Sequence, residues 1–178
     1  MMKLTDERMK IRTANLSDAA LLTELGRIAF VASHGPSASE AVIDDYVSKA
    51  YTVNAFMESL ADSTNLFHIL FVNDQAAGYS KAVLNTECPD KSGLPAMKLD
   101  RLYFLPEFVG MRLGAELLHH LLQIARNENQ KGVWLYVWTE NQRAVRFYEK
   151  SGFNIVGKYD FHLTPEHANP NHCMWMNL

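Results

Sequence analysis

The chain has 178 residues, 48% of them hydrophobic and 21% charged, with a formal net charge of −3. That length suits one domain over residues 1–178, with enough buried surface to need no disulfide or metal as a staple. The composition is that of a soluble globular protein, and the slight acidic excess argues against a nucleic-acid partner, since such binders carry a basic face.

Cys88 and Cys173 lie far apart in sequence without a CxxC partner, so they are read as two inert thiols. Charges run through the opening MMKLTDERMKIR and leave no apolar leader core. No stretch approaches the roughly 18 apolar residues of a membrane helix. A cytoplasmic protein without a membrane partner is therefore expected.

Residues 1–9 are polar and expected to fray. Ile11–Ala14 reads as a first strand, and Ser17-Asp18 as the N-cap of a helix carrying Ala20, Leu21, Leu25, Ile28 and Ala29 at helical spacing. That helix should end near His34-Gly35-Pro36. Two further helices are predicted, Ser39 to about Ala50 with Val42, Tyr46 and Val47 buried, and a shorter one near Asn54–Asp62. Leu66–Val72 is strand-like, Asn73-Asp74-Gln75 a tight turn, and Ala77–Asn85 the returning arm of a hairpin. After a polar loop from Pro89 to Pro95, Ala96–Leu105 forms a strand that Pro106 ends. The clearest helix runs from about Arg112 to Gln130, with Leu113, Leu117, Leu118, Leu121, Ile124 and Ala125 as its apolar stripe. Val133–Trp138 is a strand apolar on both faces, and Asn141 caps a helix from Gln142 to Lys150 that closes at Gly152. Phe153–Val156 and a strand near His172–Met176 complete a mixed α/β sheet with helices on both faces.

The turn from Leu102 to Leu118 joins a strand to a helix N-terminus through Gly110 and Gly114. Free N–H groups and the positive end of the dipole at such a terminus suit a phosphate or pyrophosphate, and Arg112 adds a cation. An ordinary structural turn is the alternative. A dinucleotide-binding oxidoreductase does not fit, because no G-x-G-x-x-G follows the first strand and no acidic residue follows about 20 positions later.

A second segment carries more information. Asn141, Ala144, Phe147, Tyr148, Gly152 and Phe153 stand in the pattern N-x-x-A-x-x-F-Y-x-x-x-G-F. With Val109–Gly114 matching [Q/R]-x-x-G-x-[G/A] after a strand, and Ile11-Arg12-x-Ala14 matching the usual opening, nearly the whole chain resembles the GNAT superfamily of N-acetyltransferases. Val109 replaces the usual Gln or Arg, and Arg112 stands where the pattern prefers glycine.

The resemblance implies a twisted, mostly antiparallel mixed sheet of about seven strands, split between strands four and five, with acetyl-CoA wedged in the split as co-substrate. Backbone groups of Tyr103, Phe104 and Leu105 would line the pantetheine and acetyl carbonyl. Amides of Val109, Gly110, Met111, Arg112, Leu113 and Gly114 would hold the pyrophosphate, and the Asn141 side chain the pantetheine arm. Tyr148 would protonate the departing thiolate. Arg146 is a candidate phosphate ligand, or else a solvated surface charge.

His34, Glu87, His120 and Glu140 are candidate general bases, and none stands out. His119 and His120 point in different directions, and His162, His167 and His172 lack ligand spacing, so no metal is expected. The Trp134–Trp138 run before Asn141, with Ala29-Phe30, is similar to bacterial diamine and polyamine acetyltransferases. Asp44, Asp45, Glu58, Asp62 and Glu87 are expected to frame a cationic acceptor. A protein N-terminus or lysine, and a non-catalytic CoA-binding module, stay open as alternatives. The apolar Cys173–Met176 run would pack against a twin subunit in a homodimer or complete the chain's own sheet.

Overall fold

In a computed structural model, which describes residues 9–91 and 93–178, seven strands form one sheet in the order β1-β2-β3-β4-β5-β7-β6. The strands are β1 (Met9–Thr13), β2 (Asn65–Val72), β3 (Gln75–Val83), β4 (Ala96–Phe104), β5 (Gly132–Trp138), β6 (Asn154–Thr164) and β7 (His167–Asn177). The helices are α1 (Ala19–His34), α2 (Glu40–Ala50), α3 (Val53–Ala61), α4 (Leu113–Asn127) and α5 (Gln142–Lys150). All strand pairs are antiparallel except β4–β5, in agreement with the sheet that the sequence implies. Of the segment expected to fray, residues 1–8 lie outside the described residues, and Met9 opens β1.

The entry to α1 differs from the sequence reading. Asp18 holds the N-cap position of α1 as the sequence reading has it, but its side chain makes no capping bond to α1. It closes a preceding 3-10 turn, Leu16–Asp18, that Asn15 caps: the Asn15 side chain accepts from the Ser17 amide at 2.9 Å, while Asp18 accepts from the Asn15 amide at 2.9 Å. The Asp18 carboxylate is also held by both guanidinium nitrogens of Arg12 at 2.7 and 2.8 Å, which lowers its pKa. A single reciprocal box thus pins β1 to α1. The β2–β3 turn uses two residues, Asn73 and Asp74, both at positive φ, with Gln75 already paired to Val72. That is the hairpin geometry whose twist matches the strands.

Helices cover both faces. Along β4 the side chains alternate: Arg101 and Tyr103 point toward α1–α3, where they meet Tyr51 and His34. Phe104 points the other way and lies against Gly114 of α4. The apolar stripe of α4 is buried at Leu113, Leu117, Leu118, Leu121 and Ala125. On α2, Ile43 and Val47 are the buried pair, and Val42 and Tyr46 are only partly covered.

β4 and β5 pair through three residues only, Ala96–Lys98 against Gly132–Trp134. Beyond them β4 stays with β3 as far as Phe104, whereas β5 stays with β7 as far as Trp138. A register shift places an extra residue, Asp100, between the pairs Leu99–Ala82 and Arg101–Lys81, and such a bulge bends and twists its strand. The sheet therefore opens into a wedge.

The last hairpin is longer than the sequence suggests, with 11 residues in each arm instead of the short runs Phe153–Val156 and His172–Met176. The added part of β6 carries a period-two pattern, with Tyr159, Phe161 and Leu163 between Lys158, Asp160, His162 and Thr164, which the sequence reading did not use. Cys173, Met174, Trp175 and Met176 are buried between β5 and β6 within the chain's own sheet. The two cysteines, 85 positions apart, are neighbours: Cys88 Sγ lies 3.8 Å from Cys173 Sγ, both free and fully buried.

Two features of the fold give measurable consequences. Arg112 holds φ +64°, ψ 8° just before α4, a left-handed conformation that costs an L-residue with a Cβ. Arg112→Gly is expected to stabilise the fold by about 1 kcal/mol after the greater freedom of the unfolded glycine, raising Tm by roughly 2 °C in a calorimetric scan. His68 of β2 is 4% exposed, packs edge-on against His120 of α4 at 4.7 Å, and has no partner for Nδ1 among the described residues. Burial, with the charge of His120 second, pushes its imidazole down from 6.5 to about 4. As pH falls, the unfolded chain takes up this proton first, so the stability is whole above pH 6.5 and declines from there toward pH 4. The His68 share of that loss is about 3 kcal/mol, and urea unfolding across this range should show a shallower pH slope in His68→Phe.

Candidate active site

The wedge between β4 and β5 opens into a cavity of about 600 Å³. One end is built by the turn before α4 and by the first turns of α5; it is lined by Val109, Gly110, Arg112, Leu113, Gly114, Asn141, Arg143, Ala144, Phe147 and Tyr148. The other end lies under α1, α2 and the β6–β7 hairpin, where Phe30, His34, Tyr46, Tyr51, Arg101 and Phe161 meet. Tyr103, Phe104, Tyr136, Val137 and Trp138, from the two parted strand edges, lie along the walls between them.

At the first end the backbone forms a cradle. Gly110 has φ +90° and Arg112 φ +64°, and a Cβ on Gly110 would meet nothing within 4 Å. The amides of Val109 and Met111 are spent on the Pro106 and Phe108 carbonyls, at 3.2 and 3.4 Å. Those of Gly110, Arg112, Leu113 and Gly114 meet no acceptor among the described residues. Leu113 and Gly114 begin α4, where helical N–H groups have no partner within the helix. Free amides alternating with left-handed residues make a concavity suited to an anion. The side chains of Arg112 and Arg143 add two cations to it.

Asn141 is both a cap and a lining residue. Its Oδ1 accepts from the Ala144 amide at 3.2 Å, and its Nδ2 donates to no described residue. Tyr148, 9% exposed, is wedged edge-on against Phe147 and Phe153, and its hydroxyl has no partner among the described residues. Burial raises its phenol above the ordinary value of 10, so it keeps its proton at neutral pH.

Of the sequence-derived site residues, Tyr103, Phe104, Val109, Gly110, Arg112, Leu113, Gly114, Asn141 and Tyr148 are brought together on this cavity. Leu105, Met111 and Arg146 are not. The Leu105 amide is already bonded to the Ala77 carbonyl at 2.9 Å, continuing the β3–β4 pairing. Arg146 is exposed on α5, and Arg143, one turn earlier, takes the place on the cavity. Helical spacing carries the signal for that choice, since Arg143 and Phe147 lie at i and i+4 beside Ala144 and Tyr148.

Among the four candidate bases, His34 alone lines the cavity. Its Nδ1 lies 2.8 Å from Ser33 Oγ, its ring stacks on Phe30 at 4.6 Å, and burial pushes it down from 6.5 to about 4. Glu87 is exposed and accepts from the Gly93 amide at 2.8 Å; His120 packs against His68; and Glu140 borders a separate small groove beside Trp138. The acidic residues expected to frame an acceptor also lie elsewhere. Asp44, Asp45, Glu58, Asp62 and Glu87 are all exposed and off the cavity, with Asp45 held by Lys49 at 2.7 Å and Asp62 by Thr64 at 2.8 Å. Asp44, Asp45 and Glu58 sit on helices whose opposite faces carry the apolar residues that bury, whereas Asp62 and Glu87 stand in connecting loops. The lining acid is Asp100, paired with Lys98 at 2.9 Å and Lys81 at 3.5 Å. Burial works to raise its pKa, but the two lysines outweigh this and hold the carboxyl below its usual range.

Among the described residues no group of three or more His, Cys, Asp or Glu side chains is placed to hold a metal ion, and no helix is long and apolar enough to cross a membrane.

Comparison with known proteins agrees with this geometry. Residues 30–153 match the family model described as the acetyltransferase (GNAT) family. An uncharacterised N-acetyltransferase of Mycobacterium tuberculosis is 29% identical over 154 residues, 86% of this chain and 94% of that protein. The spermidine N(1)-acetyltransferase of Thermoplasma acidophilum is 24% identical over 147 residues, covering 83% of this chain and 89% of its own. In fold, the chain is similar to the PaiA N-acetyltransferase of Thermoplasma acidophilum, solved in complex with coenzyme A, with a TM-score of 0.76 at 21% identity over 96% of this chain and 99% of that one. With a family model matched across most of its length and a sheet split at the same place as the sequence pattern implies, this chain belongs to the acetyltransferase (GNAT) family.

Proposed function

We propose that this chain transfers an acetyl group from acetyl-CoA directly to a primary amine, with Tyr148 as the proton donor to the departing thiolate. One observation carries the reading: the wedge between β4 and β5 holds at one end both a cradle of unpaired amides and a buried, protonated phenol that no described protein group engages. Membership of the family and the coenzyme A complex of a structural neighbour support acetyl-CoA as the co-substrate.

The residues present fit that group. Unpaired amides of Gly110, Arg112, Leu113 and Gly114, with the Arg112 and Arg143 side chains, would hold the pyrophosphate. The free Nδ2 of Asn141 and the open edge of β4 from Leu99 to Phe104 would hold the pantetheine arm. A thioester supplies an acyl carbon activated toward amines. Donors on the β4 edge would stabilise the charge gathering on its oxygen, and they are fixed in advance by the β3–β4 pairing. His34 is uncharged at neutral pH, so it can accept a hydrogen bond from the attacking amine without repelling a cation.

Two acceptor readings compete. The spermidine acetyltransferase among the relatives supports a polyamine. The charges on the cavity support something else, since Lys98, Arg101, Arg112 and Arg143 face one carboxylate that is already paired.

Tyr148→Phe is expected to bind acetyl-CoA within about threefold of wild type by calorimetry, while thiol release with a productive amine falls by about 100-fold. Unchanged turnover would remove Tyr148 from the chemistry, and binding with no turnover on any amine would favour a CoA-binding module. Because burial lifts the phenol above 10, the wild-type rate should rise as the amine loses its proton and show no alkaline fall below pH 10.

A further inference from the structure

The acceptor end of the cavity contains a cation without a counter-ion. Arg101 stands on β4 one residue beyond the bulge, on the face that looks toward α1–α3. Its guanidinium carbon lies over the ring of Tyr51 at 4.9 Å and the ring of Phe56 at 5.5 Å, contacts that cover it with aromatic surface but supply no acceptor for its N–H groups. Among the described residues no carboxylate lies within ion-pair distance of it, and none accepts a hydrogen bond from it. The neighbouring acid, Asp100, is committed to Lys98 and Lys81.

A second buried polar group lies beside it. The hydroxyl of Tyr79, the β3 residue paired with Tyr103, is fully buried beside the Arg101 guanidinium, and no other described residue engages it. Burial raises this phenol, and the charge of the guanidinium offsets part of that rise. One hydroxyl leaves most of the donors of the guanidinium without an acceptor. Guanidinium is charged at every accessible pH, and a charge beside a low-dielectric wall is costly unless an anion meets it. A fork of donors left open toward a cavity matches one ligand chemistry best, a planar carboxylate.

We propose that Arg101 is the recognition residue for a carboxylate on the acceptor, so that the acceptor is a small amino acid and not a polycation. The inference rests on the acetyl-transfer reading of the same cavity. Attack by the amine places its nitrogen at the wedge while the carboxylate lies at the Arg101 end, and the rings of Phe30, Tyr46 and Phe161 between α1, α2 and β6 cover the body of the molecule. A spermidine chain in this end would set its ammonium groups against Arg101 with no free carboxylate to receive them.

Matched acceptors test this on the wild-type protein. Thiol release from acetyl-CoA would be followed with leucine, phenylalanine and glutamate, each against its own α-carboxamide, and with spermidine. At least one acid should exceed its amide by about tenfold or more in kcat/KM, and spermidine should fall below that acid. In Arg101→Gln the acid-to-amide ratio should drop to within about threefold, chiefly through KM, with Arg101→Lys between the two. Thermal unfolding of each variant would show that it is folded, and the wild-type comparison needs no variant. Amides or spermidine turned over as well as the acids, or an acid-to-amide ratio unchanged in Arg101→Gln, would overturn the proposal while leaving the acetyltransferase reading intact. Calorimetric binding of the same amino acids in the presence of coenzyme A separates the converse case. Binding that Arg101→Gln abolishes, without thiol release from any amine, would support the carboxylate subsite while the transfer reading fails.

Discussion

Three backbone pairings, Ala96–Lys98 against Gly132–Trp134, join β4 to β5, and the functional architecture follows from their ending there. Each strand has a better partner beyond that point. β5 is paired along its whole length with β7, and β4 continues with β3 to Phe104. The extra residue at Asp100 bends β4 at the parting, and its carboxylate is held by lysines from β3 and β4. A sheet that would otherwise close over its hydrogen-bonding edges leaves two of them facing a cavity. Donors anchored in this way need little reorganisation when charge develops on a ligand, which is the property that makes a preorganised site effective.

The cavity has two ends with different chemistry. Near α4 and α5, backbone amides and flexible arginine side chains suit a large polyanion that is partly in solvent. Under α1 and α2 the walls are aromatic, and the charge is one stacked guanidinium. Burial acts on the titratable groups of both ends in one direction, toward the neutral form: Tyr148 keeps its proton and His34 loses its own. A neutral donor and a neutral acceptor therefore coexist across the wedge over a wider pH range than the same two groups would have in open water.

The first end was legible in the sequence because its parts are local. Gly110 and Gly114 sit in one turn, and Asn141 and Tyr148 lie one residue ahead of and near the end of one short helix. Within that stretch, hydrogen bonds and helix direction that spacing does not show decide which groups face the cavity. The Val109 and Met111 amides close the turn on themselves, the Leu105 amide belongs to β3, and the helix directs Arg143 rather than Arg146 to the cavity. Of the acceptor end, the sequence offered only His34, as one of four candidate bases. Arg101, Tyr46, His34 and Phe161 come from four separate elements, and an exposed acid on α2 looks much the same in sequence as one that lines a pocket.

From the sequence alone come the order of the elements, the buried stripe of α4, the turn at Asn73-Asp74 and the family pattern from Asn141 to Phe153. These depend on periodicity, capping and turn preference, which act over a few residues and so are written in short stretches of chain. Only the tertiary structure decided that β6 and β7 form a hairpin with 11 residues in each arm, that Cys88 meets Cys173, and that the acids of α2 lie off the cavity while Arg101 lines its acceptor end. Those outcomes depend on which distant segments share a boundary once the core is packed, and on how burial there sets charge and hydrogen bonding.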